Sequence, residues 1–413
     1  MKQTFLTSLL LIFLGVGFTS CNDDTDNQND PIKKAEPIKL KSEYFNKTQQ
    51  DNAFAFDLLK TTLENETSSN AFVSPLSVSM ALSMTLNGAK GKTSEEMLQA
   101  MRINNYSIAQ VNDYNKTLRE ALLKVDPSTQ IGIVNSIWSR SELTVIDNFI
   151  TTNRNFYSAE IYKEDFSKPQ TVNKINDWCS NATNGKIPEI IQEIPSLAVM
   201  YLINAVYFKG IWVSKFDKSG TVNKQFNGET KQQQVKMMRQ KEDFAYASTI
   251  NGGYLHLPYG NGAFNMVVML PHEGKSTDDM LAELNSNNWE NLVFSTRNVN
   301  LELPRFKIEC QYDLREQVLP AMGMTTAFGE NADFSGITPA SVCISKVIHK
   351  TYINVDEEGT EATAVTAVEA MVTSVGPTPT PINFFVNKPF LFVIQENSTG
   401  VILFAGKVGD IEE

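Results

Sequence analysis

Apolar residues recur at helical spacing early in the chain, at Phe54, Ala55, Leu58, Leu59 and Leu63 and again at Val78, Ala81, Leu82, Thr85 and Leu86. Asn70 and Ser74-Pro75, between the two sets, supply a turn and a helix start, and Ser94 followed by Glu95, Met97, Leu98 and Met101 predicts a further short helix. From Gln130 onward the pattern changes. Apolar and β-branched runs at residues 131–138, 199–208, 264–270, 299–306, 390–395 and 401–405 predict strands. Helices first and strands dominating the second half describe a mixed α+β fold with large sheets. No repeat, long linker or low-complexity block interrupts residues 43–413, so they are expected to form one domain.

The N-terminus has a pattern of its own. Lys2, an apolar run over 4–18 and Thr19-Ser20 before Cys21 predict a secretory signal over residues 1–20, too short and wrongly flanked for a membrane span. Phe18-Thr19-Ser20-Cys21 resembles a bacterial lipobox, in which the chain is cut before the Cys and that thiol is lipidated. The expectation is a secreted, lipid-anchored protein of the outer membrane or cell surface of a bacterium, facing the extracellular side. An ordinary signal cut nearby, with an incidental Cys21, is the alternative. Residues 22–30 carry four Asp and no base, so 21–42 is expected to be an acidic, disordered tether. Acidic residues directly after such a Cys resemble the surface-export signal of Bacteroidota lipoproteins.

Composition narrows the chemistry. With 42% hydrophobic residues in 413, the chain can bury a large core; 36 Lys and Arg against 47 Asp and Glu leave a net charge of −11, which disfavours nucleic acid and anionic membrane surfaces as partners. Membrane contact is therefore expected only through the lipid. Cys179, Cys310 and Cys343 are odd in number and form no CxxC, so they read as small buried apolar residues. Three histidines, His256, His272 and His349, are too few for a multi-histidine metal site, and no metal or cofactor is expected. Gly88-Ala-Lys-Gly-Lys-Thr93 lacks the first Gly of a phosphate loop and follows a helical pattern, which makes it a surface turn. No GxSxG, HExxH or GxGxxG occurs, so nothing local supports an enzyme.

Residues 356–388 carry the most information. Thr360, Ala362, Ala364, Thr366, Val368, Ala370 and Val372 share one parity and are all small or β-branched, whereas Glu361 and Glu369 fall on the other. As a strand the segment would put a compact uncharged face into a core and both carboxylates into solvent. Yet it is Ala-rich, has few large anchors and runs into Gly376-Pro-Thr-Pro-Thr-Pro381, which favours an exposed, extended loop. It is written for both situations, unless it is a plain linker with accidental alternation.

Together with other stretches, these residues resemble the serpin family of serine protease inhibitors along nearly all of 43–413. The resemblance is carried by Asn70-Ala-Phe-Val-Ser-Pro-Leu-Ser-Val-Ser79, Leu86-Asn-Gly-Ala-Lys-Gly91, Asn184-Gly-Lys-Ile-Pro188 and Leu202-Ile-Asn-Ala-Val-Tyr-Phe-Lys-Gly-Ile-Trp212. Leu303-Pro-Arg-Phe306, Tyr312-Asp-Leu314, Ala332-Asp-Phe-Ser-Gly-Ile337, His349-Lys350, the run from Asp356 to Ala362 and Asn387-Lys-Pro-Phe390 follow in family order. It implies three β-sheets, about nine helices and an exposed reactive-centre loop, here about 357–381. It also implies a monomeric inhibitor that works as a suicide substrate. The loop is cleaved and its N-terminal part inserts into the central sheet; the acylated protease is carried along and distorted before its ester can be hydrolysed. The alternative is a non-inhibitory serpin acting as a binding or carrier protein.

The resemblance also assigns residues. Glu357, Gly359, Thr360, Ala362, Thr363 and Ala364 match the hinge of inhibitory members; Arg305 and Glu357 match a pair used where the loop meets the sheet, with Trp212 as the aromatic beneath it. Ser74, Ser77, Asn204 and His349 match the polar cluster where the sheet's central strands part. Counting from the hinge places the reactive bond at Thr373-Ser374, with Val372 adjacent; counting back from Asn387 places it near Thr378. The first is favoured because Pro377, Pro379 and Pro381 hinder a protease at the second. In either register no Lys or Arg lies between Glu357 and Asn387, which disfavours trypsin-like targets. Val372, Thr373 and Val375 suit the shallow apolar pockets of elastase-like serine proteases, with papain-like cysteine proteases as a further class.

Overall fold

The computed structural model describes residues 34–360 and 380–412. The expected signal, Cys21 and the loop positions Ala362, Thr363, Ala364, Val372, Thr373, Ser374 and Thr378 lie outside the described residues.

Helix α1 (Phe45–Asn65) buries Phe54, Ala55, Leu58 and Leu59, the face its spacing predicts, and β1 (Ala71–Val73) leads into α2 (Pro75–Leu86). Ser74 starts α2: its hydroxyl accepts from the Ser77 N–H, and Pro75 takes the first helical position, where a missing N–H leaves no bond unmade. Helices α3 (Gly91–Ala100) and α4 (Ile108–Leu122) follow, the second closed by a capping box between Ser107 and Gln110. Then come β2 (Gln130–Arg140), α5 (Asp147–Tyr157), β3 (Glu160–Glu164), α6 (Pro169–Ala182) and β4 (Met200–Ile211). Strands β5 (Val222–Asn227), β6 (Gln232–Ser248), β7 (Gly252–Tyr259) and β8 (Phe264–Pro271) are consecutive antiparallel neighbours. Short helices α7 (Thr277–Glu283) and α8 (Ser286–Glu290) precede β9 (Ser295–Pro304) and β10 (Phe306–Asp313). The chain closes through α9 (Val318–Ala321), β11 (Ile348–Val355), β12 (Gly359–Thr360), β13 (Ile382–Phe385), β14 (Phe390–Glu396) and β15 (Ile402–Val408).

The nine α-helices among the described residues surround two hydrogen-bonded sheets. One runs β10-β11-β12-β4-β2-β3; the other runs β1-β15-β14-β8-β7-β6-β9-β13, with β5 on β6. Two of the three implied sheets are continuous here because β6, with 17 residues, is long enough to serve both. Its Met237 to Tyr246 pair with β9, and its Tyr246 to Ser248 pair with β7. The predicted strand over 299–306 divides at Arg305: Pro304 ends β9 in one sheet and Phe306 begins β10 in the other. Arg305 therefore sits at a corner, its N–H donating to the Lys236 carbonyl at 2.8 Å.

The main core lies between the sheets and under α1 and α2, and a smaller cluster built on Trp138, Ile175, Cys179, Ile203 and Ala205 lies between α6 and the six-stranded sheet. Even-numbered residues of β4 such as Phe208 thus face the main core, and odd-numbered ones the α6 side. Two expectations change. Residues 35–41, assigned to the tether, are docked: Ala35 N–H donates to the Asn261 carbonyl at 3.1 Å, Ile38 N–H to Ser398 Oγ at 2.8 Å, and Ala35, Ile38 and Leu40 pack on the core. Of the three thiols, all free, only Cys179 is fully buried; Cys343 is exposed because residues 341–347 run as an irregular surface segment.

Candidate functional site

The six-stranded sheet has a gap in its middle. Strand β12 is two residues long and lies between β11 and β4, Thr360 opposite Val355 on one side and Gly359 and Thr360 opposite Ile211 and Gly210 on the other. Beyond it, among the described residues, β11 and β4 share no ladder. A cavity of about 380 Å³ occupies the lower end of this gap, lined by Ser77, Met200, Leu202, Asn204, Ile348 and His349 among others, and a small void of about 20 Å³ lies against Thr360, Ile353 and Phe208.

The upper end is tightly built. Gly359 has φ of +152°, a conformation side chains rarely adopt, and a Cβ there would collide with the Gly210 carbonyl oxygen. Thr360 is 2% exposed, with its hydroxyl 2.7 Å from Tyr259 Oη. Tyr259 stacks on Trp212 at a centroid distance of 4.3 Å. Trp212 in turn donates from Nε1 to the Asp356 carbonyl and from its backbone N–H to the Glu358 carbonyl, both at 2.9 Å. Glu357 is buried, and a single oxygen, Oε1, accepts from Arg305 Nε at 2.9 Å, Arg305 Nη2 at 2.6 Å and Thr221 Oγ1 at 2.5 Å. Burial pushes this carboxyl up, but the guanidinium and the hydroxyl outweigh it and leave it below the ordinary range. An unpaired carboxylate in that place would cost several kcal/mol, on the order of 3 to 5.

At the lower end Ser74, at the start of α2, donates its N–H to His349 Nε2 at 2.9 Å and its hydroxyl to the Leu403 carbonyl at 2.9 Å. Ser77 Oγ donates to the Asn204 carbonyl at 3.4 Å, and Asn204 Nδ2 to Asn135 Oδ1 at 2.7 Å. Because Nε2 accepts, neutral His349 carries its proton on Nδ1. Asn204 Oδ1 is buried with no hydrogen-bond partner. The sheet thus combines a seated strand start, an unfilled gap below it and an unsatisfied acceptor on the wall of that gap.

The sequence profile of the family described as Serpin (serine protease inhibitor) matches residues 49–411. The chain is a serpin. It is 36% identical to serpin B6 of Macaca fascicularis over 377 residues, covering 87% of this chain and 98% of that one. It is 35% identical to the leukocyte elastase inhibitor of Xenopus laevis over 371 residues, covering 86% and 96%. The crystal structure of the thermophilic serpin tengpin in its native state matches with a TM-score of 0.79 at 31% identity, covering 92% of this chain and 97% of that one. Membership places the chain among protease inhibitors and not among enzymes.

In this serpin the structure brings Arg305 and Glu357 into an ion pair, sets Trp212 beneath the turn that carries Glu357, and gathers Ser74, Ser77, Asn204 and His349 at the gap. It adds three residues the sequence reading missed. Thr221 and Tyr259 hold Glu357 and Thr360, and Asn135 holds Asn204; each acts from a strand or turn far away in sequence, so no local spacing signals it. Among the described residues no group of three or more His, Cys, Asp or Glu could hold a metal.

Burial pushes His349 and His256 down to about 4 from 6.5. The unfolded chain takes up these protons first, so the stability each buried neutral imidazole contributes is complete above pH 6.5 and is lost as pH falls toward 4, by on the order of 3 kcal/mol per histidine. Melting temperature should fall steadily from pH 7 to 4.5, and His349→Gln should flatten that fall relative to its own value at pH 7. An equally steep fall in the variant would show that His349 does not contribute.

Proposed function

We propose that this serpin is an inhibitor that traps its protease as an acyl-enzyme by inserting the cleaved loop as a new strand between β11 and β4. The observation that carries the reading is the register of β12. Continued one residue at a time, it sets Glu361 opposite Lys209 and Ala370 opposite Met200 on β4, and Ala362, Ala364 and Thr366 opposite Ile353, Thr351 and His349 on β11. Residues of even number then fall on the face shared with Thr360 and Phe208, toward the main core, and these are the small or β-branched ones. Thr366 would arrive between His349 and Asn204, within reach of the unsatisfied Asn204 Oδ1. Insertion thus supplies ladder partners to two strand edges and fills the gap with side chains small enough for it.

Elastase-like proteases are the favoured targets. The absence of Lys and Arg from the segment before Asn387 supports this, as does the similarity to a leukocyte elastase inhibitor. Incubation with pancreatic elastase should give an SDS-stable complex, with mass spectrometry of the released C-terminal peptide placing the cut after Val372 or Thr373. Trypsin should give none. A stable trypsin complex without an elastase complex would overturn the target class, and cleavage near Thr378 would overturn the register.

A further inference from the structure

Three carboxylates follow one another where the chain turns from β11 into β12, and each is held differently. Asp356 Oδ1 accepts from the Glu358 N–H within its own turn, at 2.9 Å, and Glu357 is taken by Arg305 and Thr221. Glu358 reaches the opposite side of the gap. Its Oε2 lies 2.8 Å from Lys215 Nζ and its Oε1 lies 3.0 Å from Lys218 Nζ. Both lysines belong to the segment that leaves β4, Lys215 beside Phe216 and Lys218 in the 3-10 turn Lys218–Gly220. The Glu358 and Lys215 side chains are only 14% and 16% exposed, whereas Lys218, at 62%, forms an outer rim. The two lysines, Lys215 foremost, hold the Glu358 carboxyl below its ordinary range.

This arrangement spans the place where the sheet must stay one strand wide. Trp212 N–H to the Glu358 carbonyl and Phe216 N–H to the Glu357 carbonyl run parallel to the ion pairs, so side chains and backbone together tie the end of β4 to the start of β12. A two-residue strand has few ladder bonds of its own and would fray without such support. The Glu357 side chain anchors the same turn from another side, to Arg305 at the β9–β10 corner and to Thr221 just past the 3-10 turn, whereas Glu358 pairs with lysines nearer the end of β4.

We propose that Glu358, clamped by Lys215 and Lys218, is a positioning residue that keeps Gly359 and Thr360 seated in the register of the finished strand before the loop is cut, and so sets how fast insertion proceeds afterwards. The kinetic half rests on the inhibitory reading above; the seating does not. A seated start means insertion extends an existing strand, whereas an unseated one must first reorder two residues and reform their ladder.

Hydrogen exchange of the uncut full-length protein tests the seating. Glu358→Gln should speed exchange in peptides covering 208–216 and 355–360 about tenfold, with β14 and β15 unchanged as an internal reference. Lys218→Ala, which removes only the exposed rim, should give a smaller increase. With elastase, the inhibitor molecules consumed per protease trapped, counted in excess of one, should rise about threefold in Glu358→Gln while the rate of loop cleavage stays the same, as expected for a loss of about half a tenfold step in insertion rate. The charge reversal Glu358→Lys with Lys215→Glu and Lys218→Glu should restore most of both effects, which a merely destabilised fold would not do. Unchanged exchange in Glu358→Gln overturns the seating. Faster exchange with unaltered stoichiometry overturns the kinetic half, and a wild-type protein that traps no elastase overturns the inhibitory reading while leaving the exchange result intact.

Discussion

On the proposed mechanism, Thr360→Arg should turn the protein from a trap into a substrate. Thr360 is buried between β11 and β4, hydrogen-bonded to Tyr259 and set opposite Gly210, and a Cβ on Gly210 would already press on the Tyr259 ring at 2.7 Å. An arginine there must bury a guanidinium without a partner or withdraw β12 from the sheet; the first costs several kcal/mol, so withdrawal wins. Insertion then begins against a barrier several kcal/mol higher, while deacylation of the protease is untouched. At 1.4 kcal/mol per factor of ten, the ratio of insertion to hydrolysis falls by more than about a hundredfold. Elastase should cleave the variant at the wild-type rate and leave no SDS-stable complex. A variant that still forms the complex in good yield would mean that residue 360 does not enter the sheet during inhibition.

Cleavage of the loop should raise the melting temperature of the wild-type protein by well over 10 °C. If the pairing of Gly359 and Thr360 with β4 is continued, as proposed, ten residues from 361 to 370 would come into register with it. At roughly 1 kcal/mol net per new hydrogen bond, ten ladder bonds contribute about 10 kcal/mol. A domain of this size has an unfolding entropy of about 0.8 kcal/mol per kelvin, so the bonds alone raise the midpoint by about 12 °C. Filling the 380 Å³ cavity and burying Ala362, Ala364, Thr366 and Val368 adds to that figure. Calorimetry before and after limited elastase digestion measures it. An unchanged midpoint would favour the carrier reading, in which the cut loop stays outside the sheet.

Much of the fold was legible along the chain. Helices α1 and α2 and strands β2, β4, β8, β14 and β15 follow from the spacing of their apolar residues, since each buries one stripe or one face. Strand β6 was not legible: Gln232 to Ser248 carries Lys236, Arg239, Lys241, Glu242 and Asp243, and its buried set, Val235, Met237, Met238, Phe244 and Ala247, breaks alternation because the strand serves three ladders in turn, with β5, β9 and β7. The break at Arg305 was hidden for a related reason. An unbroken apolar run says that both halves are buried and says nothing about which sheet each joins. The parity of the loop was legible, but the fate of its charges was only half so. By register Glu361 would meet Lys209, whereas Glu369 would meet Tyr201, which packs in the α6-covered cluster and away from open solvent.

By itself, the sequence determined the helices and strands whose apolar residues keep one period and which loop residues are small enough to enter a sheet, because both are properties of side chains read in order along the chain. The tertiary structure alone decided that a place for those residues exists. The gap between β11 and β4, the Glu357 carboxylate shared by Arg305 and Thr221, and the pairing of Glu358 with Lys215 and Lys218 each join residues from different elements. Their distances depend on how the sheets close around the core, and that is a sum over the whole chain which no local pattern contains.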